Sequence, residues 1–320
     1  MRLRGAVLGG GPSHEHEVSL KSAENVVRHL PKNRYDVRDV FISKQGQWEV
    51  PLSELVPTPD VAFIALHGAY GEDGTVQAEL DAAGVPYTGS GPLASALAMN
   101  KFVSGQVLMR NDIAIPLSLL VHVDEWEWEP DLVLERIGRY IGYPVVTKPN
   151  ANGSSVGVSI VRDRDELVRG LLAVFAISRA ALVQSFVEGR ELTCGVLDEG
   201  LTRSATALLP TEIVPQAGPF FDYCSKYETG GALEVTPADL PEATLAALRR
   251  TAVAAHRALG CRGISRTDFM LDERNNLYVL EVNTIPGLTA GSLIPKAAVA
   301  SGMPFPDLLE TLIMCGLSGH

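Results

Sequence analysis

The chain has 320 residues, 46% of them apolar, enough to bury the cores of two or three packed domains. Its formal charge of −11 argues against nucleic acid or an anionic membrane as main partner, because both are held by a basic face. Four scattered cysteines without a C-x-x-C pair, and no run of eighteen apolar residues, point away from zinc, disulfide frameworks and membrane spans; a reduced, soluble, cytoplasmic protein is expected.

The first hundred residues alternate short apolar runs with helical periodicity. GAVLGG reads as a buried strand ending in glycines, and Val18, Ala23, Val26, Val27 and Leu30 follow at helical spacing. DVAFIALHG is a second apolar strand and GVPYTGSG a third, short one. Such alternation predicts a doubly wound parallel sheet, whose ligands gather beyond the carboxyl ends of its strands. His14, Glu15 and His67 then lie near one edge as half of a candidate site.

From Met99 the pattern changes. MNKFVSGQVLMRN predicts a helix, 131–141 another and 164–176 a third, among the strands YPVVTKP, SSVGVSIV, ALVQSFV and ELTCGVLD. Antiparallel strands with helices on one side make a smaller α+β unit. The stretch 210–237 has almost no periodicity, and long loops of that kind serve as lids or binding loops. A helix over 241–259 and the strands GISRTDFMLD and LYVLEVNT follow.

Two stretches carry chemistry. KPNANGSSVG places a cation, two hydroxyls and two glycines within ten residues, as an anion cradle requires, but not in P-loop order. In the last pair of strands, a four-residue loop from Glu273 to Asn276 sets Asp268 opposite Glu281 and Arg266 opposite Asn283, all on one face. Taken singly, each is an ordinary solvent-facing hairpin residue. Together, two carboxylates and an amide oxygen suit Mg²⁺ shared with phosphates. Nucleotide would then lie between two units, its phosphates on the N–H groups of a small-residue loop. Other readings are weaker: His14-Glu15-His16 lacks a third metal ligand, Gly9-Gly10-Gly11 is broken by Pro12, and GSSVG is not a hydrolase G-x-S-x-G.

The motifs GGGPSHEHEVSL, ALHGAYGEDGT, YTGSGPLASALAMNK, KPNANGSSVG, DYCSKY, SRTDFML and LEVNTIPGLTAGSLIP closely resemble those of the D-alanine–D-alanine ligases, in the ATP-grasp superfamily, in order over essentially the full length. The resemblance implies an ATP-grasp fold of α/β and α+β units. An N-terminal doubly wound parallel-sheet domain is expected over 1–98, a central ATP-grasp subdomain over 99–187, and a C-terminal subdomain with lid loop and metal site over 188–320. It further implies ligation of two D-alanines through an acylphosphate, with ATP and Mg²⁺ or Mn²⁺, for peptidoglycan precursors. The implied partners are these small molecules and a second copy in a homodimer, with no nucleic acid and no membrane.

Residue roles follow by the same resemblance. Glu15 binds the amine of the first D-alanine and is bonded towards Ser154 and Tyr227, with Ser154 as the linking serine. Ser155 covers the phosphates, Lys101 and Lys148 neutralise them, and Lys226 on the lid closes over the γ-phosphate region. Asp268, Glu281 and Asn283 match the magnesium ligands. Arg266 matches the arginine that meets the transferred phosphoryl group and the oxyanion, helped by the Gly287 amide. Ser292 and Leu293 resemble the pair gripping the second D-alanine's carboxylate, and His67 lies by the first substrate. Val187 joins the nucleotide set, and Glu191 keeps the ribose carboxylate.

One departure stands out. Gln184-Ser185 occupies the adenine hinge, where many relatives have Glu-Lys. Gln184 can still accept from an adenine amine, but the missing charged pair predicts somewhat relaxed discrimination between ATP and GTP. Three alternatives stay open: a D-alanine–D-lactate ligase, another ATP-grasp carboxylate–amine ligase, and a nucleotide-binding regulatory module. The last would be expected to lose Arg266 or a metal ligand, and none is lost.

Overall fold

In a computed structural model, described over residues 2–153, 156–198, 204–215 and 232–319, the strands gather into three sheets. The first is parallel, ordered β2-β1-β3 from β1 (Leu3–Gly10), β2 (Tyr35–Ile42) and β3 (Val61–Ile64). Continuous apolar strands need cover on both faces. Helix α1 (His16–His29) covers one face through Ala23 and Val26, and α2 (Thr75–Ala83) covers the other through Val76 and Leu80. The expected strand GVPYTGSG is reduced to a single bridge, Ala62 to Tyr87. The ladder stops there because the Thr88 hydroxyl accepts the Ile64 N–H at 3.0 Å, in place of a backbone carbonyl. At the end of β1 the chain turns through Gly10 at φ 91°, where a Cβ would lie 2.2 Å from the Ile42 carbonyl oxygen.

The predicted helix from Met99 starts two residues later, and a separate helix precedes it. α3 (Pro92–Met99) ends at Asn100, whose extended backbone (ψ 93°) breaks the run and whose side chain caps α4 (Lys101–Arg110) by accepting from Val103 N. Lys101 is therefore the first residue of α4. The second sheet, β4-β7-β5-β6, is antiparallel: β4 (Ser118–His122), β5 (Val145–Pro149), β6 (Ser159–Val161) and β7 (Ala180–Ser185). After the short α5 (Val123–Trp128), α6 (Pro130–Tyr140) and α7 (Arg164–Phe175) seal one face, packing Ile137, Leu167 and Leu171 on Val121, Val145 and Val183. The opposite face, with Val146 and Gln184, is left for a ligand.

The third sheet is ordered β11-β10-β8-β12-β13, with β9 paired to β8. It comprises β8 (Arg190–Asp198), β9 (Ala205–Ala207), β10 (Thr211–Pro215), β11 (Ala232–Val235), β12 (Ile264–Leu271) and β13 (Leu277–Asn283). The stretch 210–237, read as aperiodic loop, contains β10 and β11, paired antiparallel from Glu212↔Val235 to Pro215↔Ala232. Both are short and half-buried, so neither repeats the two-residue period often enough to be seen. Helix α8 (Glu242–Ala258) and α4 cover the inner face of the sheet over Leu192, Phe269 and Val279. The last two helices, α9 (Leu293–Ala300) and α10 (Phe305–Ser318), return to the first sheet, where Ile294, Leu309 and Ile313 join Val7 and Phe63 in one core. Among the described residues no helix is long and apolar enough to cross a membrane.

Candidate active site

The β12–β13 hairpin sets Asp268 opposite Glu281 and Arg266 opposite Asn283, as expected, but reaches that register by another route. Near the turn the partners are Leu271↔Leu277 and Phe269↔Val279, so the connection has five residues rather than four. Asp272 holds it, its carboxylate accepting the Arg274 and Asn276 N–H groups at 2.9 and 2.8 Å. A bulge at Leu280 then restores the count. Val279 and Val282 enter the core, while Leu280 and Glu281 both line the cleft. An extra residue in one strand does this, setting two neighbouring side chains on one side.

The polar groups on this face are interlocked. Arg266 donates to Asp268 in a fork, Nε to Oδ1 at 2.9 Å and Nη2 to Oδ2 at 2.8 Å. Thr193, opposite Asp268 on β8, adds its hydroxyl to Oδ1 at 2.7 Å. Burial works against charge on the guanidinium, but Asp268, Glu281 and Glu72 outweigh it and raise its pKa. Lys101 Nζ lies 3.2 Å from Glu281 and donates to the Asn152 carbonyl at 2.6 Å. Asn150 positions that lysine, since its carbonyl takes the Lys101 N–H and its side chain bonds Phe102 N and Asn100. The Asn283 amide oxygen accepts the Ile285 N–H at 2.8 Å and keeps its second lone pair.

Two cavities meet along this wall. The larger, 840 Å³, lies between the second and third sheets. Its apolar sides include Val146, Ile160, Met270 and Leu280, and Lys148, Gln184, Ser185, Val187 and Glu191 stand around it. The smaller, 490 Å³, is bounded by Glu15, His67, Arg266, Asn283, Gly287, Ser292 and Leu293. Lys101, Asn152, Gly153, Glu191, Asp268 and Glu281 border both.

In the smaller cavity, Glu15 precedes α1 and reaches the KPNANG loop so closely that a Cβ on Gly153 would lie 2.7 Å from its Oε2. Val18, on the same helix, borders the cavity. His67 is buried; its Nδ1 donates to the Ile285 carbonyl at 3.0 Å and its Nε2 meets the Ser22 hydroxyl at 2.8 Å. Burial opposes charge on this ring, yet Glu72, Glu15 and the Ile285 carbonyl raise its pKa, while burial raises that of Glu72. Ser292 precedes α9, held by Thr289 N at 3.1 Å, and Gly287 stands so close that a Cβ there would lie 2.7 Å from its Oγ. Four expected site residues, Ser154, Ser155, Lys226 and Tyr227, lie outside the described residues.

Comparison with known proteins places this geometry. Residues 107–314 match the model for the D-ala D-ala ligase C-terminus, and 4–57 and 52–90 match that for the N-terminus. The chain belongs to the D-alanine–D-alanine ligase family. The D-alanine–D-alanine ligase of Nitratidesulfovibrio vulgaris (strain DP4) is 44% identical over 315 residues, 98% of this chain and 97% of that protein. Among solved structures, a D-alanine–D-alanine ligase from Bacillus anthracis complexed with ATP superposes with TM-score 0.80 at 31% identity, covering 98% of this chain and 97% of that one. The VanG D-Ala:D-Ser ligase of Enterococcus faecalis superposes with TM-score 0.87 at 28% identity, covering 99% and 100%. The fold is thus that of ATP-grasp ligases.

Sequence reasoning missed Thr193, Glu72 and Asn150, which meet Asp268, His67 and Lys101. Alternation from Glu191 sets Thr193 on the ligand face of its strand, a signal present in the sequence. Its pairing with Asp268 was hidden, because β8 and β12 are neighbours in the sheet and some seventy residues apart in the chain.

Proposed function

We propose that the chain joins two D-alanines into D-alanyl-D-alanine at the expense of ATP, as a cytoplasmic homodimer supplying peptidoglycan precursors. What carries this reading is the meeting of a nucleotide-sized cleft and a smaller polar cavity along one wall of carboxylates and cations. The large cleft takes ATP, with the base between Val146 and Ile160 on one side and Met270 and Leu280 on the other. Gln184, Ser185 and Val187 meet the base in this reading, Glu191 the ribose, and Lys101, Lys148, Ser155 and Lys226 the phosphates.

The residues present fit Mg²⁺ or Mn²⁺. Among the described residues no cluster of three or more His, Cys, Asp or Glu could cage a metal. Two paired carboxylates and the free lone pair of an amide oxygen instead match a hard cation completed by phosphates and water. Asp268, Glu281 and Asn283 would hold it, and when bound it supplies positive charge to the phosphates.

A carboxylate oxygen of the first D-alanine attacks the γ-phosphorus, and the bond to ADP breaks. The amine of the second, having lost a proton, attacks the acyl carbon of the acylphosphate, and phosphate leaves as the amide forms. Glu15 anchors the first amine, with His67 beside it and with Ser154 and Tyr227 as the partners that the resemblance implies. Arg266 and the Gly287 amide stabilise the phosphoryl group and the oxyanion. Ser292 and Leu293, at the positive N-terminal end of α9, hold the second carboxylate. The protein's contribution is alignment and charge neutralisation, as in phosphoryl transfer generally.

ADP release with D-alanine as sole amino acid, followed by chromatography of products from D-alanine mixed with D-lactate or D-serine, tests the reading. The expected result is D-alanine-dependent ADP and almost only D-alanyl-D-alanine. ADP release that ignores D-alanine would overturn it. Sedimentation equilibrium tests the dimer.

A further inference from the structure

Ser118 has one hydroxyl proton, and it is already committed. Its Oγ lies 2.7 Å from the Pro116 carbonyl oxygen, a group that can only accept. The same Oγ lies 2.9 Å from the end of the Gln184 side chain. With its proton on Pro116, Ser118 can only accept from Gln184, so the atom facing it is the amide Nε2. Turning the amide over would set two acceptor oxygens against each other, or strip the proton from Pro116.

The consequence is a fixed acceptor. Gln184 is 5% exposed, and among the described residues nothing donates to its Oε1. Ser118 and Gln184 are cross-strand partners on β4 and β7. The same row continues through Val146 on β5 to Ile160 on β6, and these two form the apolar side of the large cleft. The amide therefore closes the edge of the surface on which a base would lie.

We propose that Ser118 is a specificity-positioning residue: by holding the Gln184 amide oxygen toward the base, it makes the hinge select adenine over 6-keto purines. The proposal rests on the nucleotide reading above. The exocyclic amine of adenine donates to Oε1, whereas the 6-keto oxygen of hypoxanthine or guanine would meet it acceptor to acceptor. A free glutamine could turn its Nε2 to the keto oxygen; one tied to Ser118 cannot. This reverses the relaxed discrimination that the missing Glu-Lys pair alone predicts.

The test is calorimetric binding of ATP and ITP, which differ at the 6-position and its adjoining N1 proton, to wild type, Ser118→Ala and Ser118→Thr. Wild type should prefer ATP, and Ser118→Ala should narrow the preference about tenfold, the worth of one neutral hydrogen bond, by weakening ATP and tightening ITP. Ser118→Thr, which keeps the hydroxyl, should restore it. In a Gln184→Glu background, where both ends of the side chain accept, Ser118→Ala should leave the ratio unmoved. A ratio unchanged in Ser118→Ala, both nucleotides weakening alike, would overturn the proposal while leaving the ligase reading standing. Wild type that binds neither nucleotide would overturn both.

Discussion

Asp268 is held from two strands at once, by the Arg266 fork and by the Thr193 hydroxyl, and this gives each residue of the hairpin a distinct signature. Glu281→Gln should cripple turnover while the protein stays folded, because the phosphates lose a counter-charge; undiminished ADP release at ordinary Mg²⁺ would count against the site. Arg266→Ala should cost about 10²–10³ in kcat, the usual loss of an oxyanion donor, and a change confined to the KM for ATP would reassign it to ground-state binding. Thr193→Val should weaken Mn²⁺ affinity about 10–100-fold, read by electron paramagnetic resonance of the ADP complex, with Thr193→Ser restoring it. Equal Mn²⁺ affinity in all three proteins would make Thr193 a packing residue. The carboxylates were legible because consecutive strands joined by a short turn have nearly forced partners. Thr193 and Ser118 were not, since their partners arrive from strands distant in sequence.

The hairpin itself was read correctly at its centre and incorrectly at its tip. A turn one residue longer and a bulge one residue wide cancel, so Asp268 still faces Glu281. Deleting Leu280 should keep that pair opposed and remove only one apolar side chain from the cleft. KM for ATP should then rise about tenfold, from the loss of the Leu280 contact, with the metal requirement unchanged; a lost metal requirement would show that the bulge itself aims Glu281. A second joint ties α8 to β8 and β12: His256 Nδ1 lies 2.7 Å from the Ser265 hydroxyl and its Nε2 3.4 Å from Asp198. The trio imitates a hydrolase, but Ser265 is fully buried and borders neither cavity. Burial alone would raise the Asp198 carboxyl; His256, the Gly263 N–H and Arg257 reverse this and hold it below the ordinary aspartate range. Its contribution to stability is therefore present above the unfolded-state value, near pH ~4, and lost as pH falls through the lower folded-state value. Asp198→Asn should cost about 1–3 kcal/mol at neutral pH, and urea midpoints should show the gap closing on acidification. A gap constant from pH 7 to 3 would contradict the contribution of the Asp198 carboxylate.

At the scale of the whole molecule, the ends of the chain share a core. Leu308, Leu309, Leu312 and Ile313 of α10 pack with Val7 and Phe63 of the first sheet. Sequence periodicity finds α1 but not this distant cover, which has no signature in the first hundred residues. Leu309→Ala should cost about 2–5 kcal/mol in global unfolding. Residues 1–98 made alone should lack a cooperative thermal transition; a sharp one would mean that α10 is dispensable to the sheet. The same closure has a temporal side. A ribosome releases the strands of the first sheet more than two hundred residues before Leu308, which at about 5–20 residues per second is a delay on the order of 10–50 s. Throughout that interval the nascent sheet carries Val7 and Phe63 without their final cover. The first of the three sheets to be synthesised is thus the last to be finished, and the hazard of aggregation falls on its strands.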